Sequence, residues 1–393
     1  MELDYAVFIF KAMESTMRGL FQDLTQVSDV IRHFTPNWFT VSMGTGVVAL
    51  IISEFPVLKG LTWQLGTTLW YVNIGLFLLF SSLYLLRWIL YTNEAKQIFQ
   101  HPMMSLFFGA IPMALATIIN GLVKYGQAIY GEQALRLAES LWYVDVILAV
   151  AIAWFVPFIM YQRQQHELKS MTAVWLLPIV ACEVAASSGG VLLAHLPATT
   201  HSVGILLGSY ILWGMSVLPA FAILSILMLR LALHRLPPKE LAISSWLALG
   251  PIGTGALALL LLGAQAPTIL ASVGLAGLGE FLQQGGIFAS LILLGFGLWW
   301  FGIAVLTTYH HAKQDLPFNL GWWGLTFPLG VFSLAVLSLA EQLNVGFIYQ
   351  LGYLLTMLLV LLWLIVMSKT LVGFYRGHLL FSPCLKSYLE NKV

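Results

Sequence analysis

Along the chain, apolar positions gather into ten long runs separated by short polar or Gly/Pro-rich connections. The runs fall near residues 36–53, 61–86, 103–122, 141–161, 172–194, 203–229, 241–263, 285–307, 320–340 and 347–368. The seventh, eighth and tenth contain no Asp, Glu, Lys or Arg. Crossing the hydrocarbon core takes about 20 apolar residues of helix. The pattern therefore predicts an all-α integral membrane protein of ten spans. The stretch 266–279 is also apolar but has only 14 residues, which reads as a surface or re-entrant segment.

The distribution of Lys and Arg supports ten. With ten spans, all but three of the 18 basic residues lie on the side that holds both termini, leaving Lys59, Lys124 and Arg136 opposite. An eleventh span at 266–279 would move the later loops across and divide the residues 10 to 8. The positive-inside rule thus predicts cytoplasmic termini in an inner or plasma membrane. Residues 1–35 read as a cytoplasmic amphipathic segment, with Glu2, Asp4, Glu14, Asp23 and Asp29 at helix-like spacing and no cleavable signal peptide. Residues 36–368 form the membrane domain and 369–393 a cytoplasmic tail.

A repeat runs through the odd spans. Four of them carry a proline, Pro112, Pro178, Pro251 and Pro328, at intervals of 66, 73 and 77 residues. An aromatic residue precedes each by three to five positions: Phe108, Trp175, Trp246 and Trp323. At the matching place in the first span stand Gly44, Thr45 and Gly46. Proline in a helix interior removes a backbone bond and bends the helix. Small residues crowd the same spans, among them Ser187, Ser188, Gly250 and Thr254. The expectation is five quasi-repeated helical hairpins around a central pore, with kinked odd helices inside and even helices outside. Taken singly, each Gly or Pro is equally explained by helix packing. Of the residues just before the prolines, only Phe327 is aromatic. It is either a plug on the axis or one packed Phe among 24.

Composition narrows the function. Hydrophobic residues make up 59% of the chain and charged ones 9%, too few to cover a water-exposed surface. A soluble enzyme is excluded, and a net charge of +1 gives no basic face for nucleic acid. Cys182 and Cys384 support no disulfide framework. The nine histidines fall in loops or near span ends, and His310–His311 reads as part of a solvated loop. With no HExxH, CxxC or P-loop, no metal, cofactor or catalytic residue is assigned. Within the spans, Glu183 offers either a proton relay or a hydrogen bond to a neighbouring helix. Asp145, Asn73 and Asn120 read as structural. Thr45, Ser187, Ser188, Thr254 and Thr326 are hydroxyl donors for a path that lacks fixed positive charge.

WFTVSMGTGVVAL in the first span, WLLPIVACEVAASSGG in the fifth and TFPLG in the ninth resemble the tellurite-resistance/dicarboxylate transporter family. That family includes bacterial TehA, a yeast malate permease, a yeast sulfite pump and the slow anion channels of plants. The resemblance spans about residues 33–373. It implies ten helices as five hairpins around a pore, a homotrimer, and a small inorganic or organic anion as the transported species. It also implies that Phe327, in the matching TFP, occludes the pore. The expected substrate is a C4-dicarboxylate such as malate, with sulfite or tellurite efflux as the alternative.

Overall fold

The structure, a computed structural model, describes Leu24, Gln26 and residues 28–390. Most of the N-terminal amphipathic segment lies outside the described residues. Asp29 is within them, in a single helical turn, Asp29–Arg32. Ten helices follow at the expected places: α1 Phe39–Ile52, α2 Lys59–Leu90, α3 Ala110–Gly121, α4 Glu132–Arg163, α5 Leu177–Leu193, α6 Thr200–His234, α7 Leu249–Ala271, α8 Ala276–Ala312, α9 Phe327–Leu343 and α10 Gly346–Arg376. A short α11, Pro383–Glu390, closes the described chain. Among the described residues there is no strand, and nine helices are long and apolar enough to cross a membrane. The remaining apolar helix, Pro36–Ile52, is shorter.

Odd and even helices differ sharply in burial. In the apolar windows of the odd spans from Met104 onward, 83–94% of residues are buried, and nearly all of α1 is too. For the even helices the share is 22–33%. Contacts between odd helices run α1–α3–α5–α7–α9 and back to α1, closing a ring. Each even helix packs against the odd helix before it and the one after it, and α10 bridges α9 to α1. A helix that is hydrophobic all round must be enclosed or face lipid. Here the odd helices are enclosed, and the even ones expose Leu, Ile, Phe and Trp on their outer faces.

The prolines act differently from the interior kinks expected of them. Pro178 and Pro328 are the second residues of α5 and α9, and Pro112 and Pro251 the third of α3 and α7. Each odd helix is preceded by a 3₁₀ segment: Pro36–Trp38, Met104–Gly109, Ala173–Leu176, Lys239–Ala248 and Leu320–Leu325. In the first turn the missing N–H costs nothing, so proline starts an α-helix without bending it. The prolines therefore mark where a tight 3₁₀ lead-in becomes α-helix. Runs of 3₁₀ longer than three or four residues are uncommon.

A second periodicity, not anticipated, holds the layers together. Indoles of the even helices, buried at Trp70 and Trp142 and half-buried at Trp213, donate to the next odd helix: Trp70 to the Ile118 carbonyl (3.3 Å), Trp142 to that of Ala185 (2.8 Å) and Trp213 to that of Gly255 (2.9 Å). Trp363 of α10 donates to the Thr45 hydroxyl of α1 (3.2 Å). A buried indole N–H needs a partner, and a helix carbonyl has a spare lone pair to offer it.

Three boundaries depart from expectation. Residues 266–279 do not span and are not a separate re-entrant segment: they hold the end of α7, an exposed tight connection and the start of α8, with 271–278 at the surface. Gly274, at φ +77°, makes the reversal that the apolar composition concealed. His310 and His311 sit in the last turn of α8, not in a solvated loop, and His311 is buried with its ring on the Thr307 carbonyl (2.9 Å). The helix expected to end at 368 continues to Arg376.

Candidate functional site: a pinched pore through the inner ring

Two cavities lie at opposite ends of the inner ring. One, of about 500 Å³, is bounded by the 3₁₀ lead-ins and reaches Phe327 and Pro328. The other, of about 370 Å³, is bounded by the later turns of the odd helices, including Leu50, Ser187, Leu257, Leu334 and Leu337. We call them the proximal and distal vestibules. Between them lies a void of only about 20 Å³. All five inner helices border it, with Met43, Met113, Val180, Gly250 and Phe327 among its lining. Phe327 is buried, at 4% exposure, and touches both this void and the proximal vestibule. A space of this size holds about one or two waters and no hydrated anion.

The residues singled out from the sequence divide into two groups. Phe327, Pro328, Gly250 and Ser187 border the cavities. A Cβ built on Gly250 meets no atom within 4 Å, so this glycine opens onto empty space although it is buried. The others face neighbouring helices. A Cβ on Gly44 would lie 2.1 Å from the Thr326 hydroxyl, and one on Gly46 2.0 Å from that of Thr117. Thr45 is engaged by Trp363, and Thr326 donates to the Trp323 carbonyl (2.7 Å). Pro112, Pro178 and Pro251 start their helices and border none of the three spaces. The Ser188 and Thr254 hydroxyls are buried without hydrogen-bond partners.

The polar groups within the spans also differ from one another. Asn73 joins three helices, accepting from Ser42 (2.7 Å) and donating to Thr117 (2.9 Å). Glu183 is fully buried and turned toward α6 and α7, away from both vestibules. Ser216 stands beside it, yet neither carboxylate oxygen nor that hydroxyl reaches hydrogen-bond geometry. Asp145 is likewise buried and unpartnered. Asn120 differs from the structural residue expected: it lines the distal vestibule, and its Oδ1 has no partner.

The sequence pattern also missed the strap at the proximal mouth. Leu379, Phe381 and Pro383 line that vestibule after α10 ends. The fully buried Arg87 holds them there, donating to the Phe34 carbonyl (2.6 Å) and the Ser382 hydroxyl (3.2 Å). The Ser382 N–H donates to His33 Nδ1 (3.3 Å). Burial lowers the His33 pKa, which keeps the ring neutral and able to accept. Nearby, Arg32 grips Glu94 through two 2.7 Å bonds, and this pairing holds the Glu94 pKa below its ordinary value.

Five enclosed helices that meet at a ring of side chains between two opposed vestibules define a membrane permeation protein. The voltage-dependent anion channel family (SLAC1) matches residues 33–371, and the chain belongs to it. It is similar to the sulfite efflux pump SSU1 of Arthroderma benhamiae, with 37% identity over 86% of this chain and 90% of the relative. An uncharacterized transporter of Methanocaldococcus jannaschii, MJ0762, is 30% identical over 89% of this chain and 97% of its own length. The malic acid transport protein of Schizosaccharomyces pombe is more distant, at 25% identity over 90% and 82%. The chain is therefore a multi-pass membrane protein of an anion-transport family. The relatives favour the sulfite alternative over the malate-like substrate placed first from the sequence.

Proposed function

We propose that this protein exports sulfite, or a closely similar small oxyanion, through the centre of the inner ring, with Phe327 as the gate. The observation that carries the reading is the position of Phe327 in a void bordered by all five inner helices, between two vestibules. With the ring in place, the passage is too narrow and too apolar for a hydrated ion, because an anion stripped of water in an apolar constriction is strongly disfavoured. Rotation of one aromatic side chain would join the proximal vestibule to the path beyond. Ser187 offers a weak, neutral contact farther along, which suits release better than retention.

The choice of sulfite rests on the 37% identical relative being a sulfite pump, against 25% for the malic acid protein. In this reading the chain crosses a cell membrane ten times with α1 as the first crossing, both termini face the cytoplasm, and three copies assemble. The charge asymmetry of the loops supports the orientation. The family resemblance supports the trimer. Flux assays on proteoliposomes test the substrate, with sulfite, malate and chloride compared at equal gradients. Sulfite flux above that of malate is expected. Malate flux equal to or above that of sulfite would restore the dicarboxylate reading.

A further inference from the structure

The distal vestibule holds a feature that the pore itself does not require. Among the residues lining the two vestibules, Lys124 alone is Lys or Arg. It sits in a π-helical turn, Leu122–Gly126, that continues α3. Such turns insert one residue into an α-helix, redirect the side chains after it, and recur at functional sites. Its side chain is 24% exposed, and its ammonium donates to the Leu50 carbonyl (2.9 Å) and pairs with the Glu54 carboxylate. An ammonium has three donors, so one is unspent.

Asn120 lies four residues earlier on the same face and lines the same vestibule, with its buried Oδ1 unpartnered. Only the Oδ1 end of that amide is buried, so its NH₂ end is already the one open to the vestibule beside the ammonium. Two donors of this kind, one charged, suit a small oxyanion.

We infer that Lys124 and Asn120 form an anion-binding station in the distal vestibule, and that Glu54 occupies the ammonium as a tethered substitute when no anion is present. The inference rests on the anion-transport reading above. Glu54 suits the role because its side chain is 45% exposed and can swing into water. Glu341 lines the same space, so two carboxylates oppose one ammonium. That balance disfavours a doubly charged guest and favours a singly charged oxyanion such as hydrogen sulfite. An arriving anion displaces Glu54, and Glu54 returning to Lys124 helps to eject it.

The alternative is that Lys124 only ties down the C-terminal carbonyls of α1, and the two readings separate by sign. The test is sulfite flux against sulfite concentration in proteoliposomes. Lys124→Gln is expected to raise the half-saturating concentration about tenfold, the loss of one hydrogen bond to a charged group. Glu54→Gln is expected to lower it, because the competing carboxylate is gone. Lys124→Arg, which keeps the charge, should stay within about threefold of wild type, and Glu54→Gln/Lys124→Gln should follow Lys124→Gln. A purely structural ion pair would give both single variants the same direction of change, or change the amount of active protein and leave half-saturation fixed. Either result overturns the station while leaving wild-type transport intact. Absence of sulfite flux in wild type overturns the transport reading, and the station with it.

Discussion

Gly250 and Gly253 stand one turn apart on α7 and should respond oppositely to the same added methyl. Gly250 is buried, yet its Cβ direction is empty to 4 Å and opens on the void beside Phe327. Alanine there meets no clash and removes glycine's conformational cost, a gain of up to about 1 kcal/mol. At Gly253 a Cβ would lie 2.6 Å from both the Cα and the N of Phe332. Backbone cannot yield as a side-chain tip can, so α7 and α9 must separate, at a cost of about 1–3 kcal/mol. Gly250→Ala should therefore raise the unfolding temperature in detergent, and Gly253→Ala lower it. The flux consequence is separate. The void measures about 20 Å³, so Gly250→Val should fill it and reduce anion flux without loss of folded protein. A destabilising Gly250→Ala together with a neutral Gly253→Ala would refute this account, because α7 would then present its other face to the axis.

Other consequences can be checked individually. Asn73→Ala strands the Ser42 hydroxyl and removes the bridge to Thr117, and should cost about 1–3 kcal/mol in thermal or denaturant unfolding. Arg87→Met removes the donor that holds Ser382 at the proximal mouth, so trypsin should cut after Arg376 faster than in wild type. For Glu94 the sign follows from its depressed pKa: the Arg32 pair stabilises fully above the ordinary carboxylate value and fades as pH falls through the lower folded one. Both side chains are partly exposed, so the pair is worth no more than about 1 kcal/mol. The stability gap between wild type and Glu94→Gln should close on acidification; a gap that widens would contradict the pairing.

The span positions and the inner–outer alternation were legible because lipid enforces long apolar runs and because the prolines recur at matched places. The place of Phe327 at the void was legible, since it is the sole aromatic residue before a repeated proline. The prolines misled as to shape, since sequence alone does not separate a mid-helix kink from a 3₁₀-to-α junction in one continuous apolar run. Gly44 and Gly46 looked like lining residues because small residues serve close packing and open space alike; only the neighbouring Thr326 and Thr117 decide between them. Lys124 fell among the charges beyond the spans, since a π-turn leaves no compositional mark. Trp70, Trp142 and Trp213, at intervals of 72 and 71 residues, were a visible signal of the repeat. It lies in the even spans, where no recurring proline marks the repeat.

The most direct test of the gate is anion flux through Phe327→Ala against wild type in proteoliposomes, with sulfite and chloride measured in parallel and the amount of folded protein matched. Removing the ring joins the proximal vestibule to the void, and each 1.4 kcal/mol taken from the barrier raises flux about tenfold. The account expects flux to rise at least tenfold, with sulfite and chloride kept in the same order. Unchanged or abolished flux in a folded variant would contradict it, and would place Phe327 in the packing of the ring or in a moving carrier site.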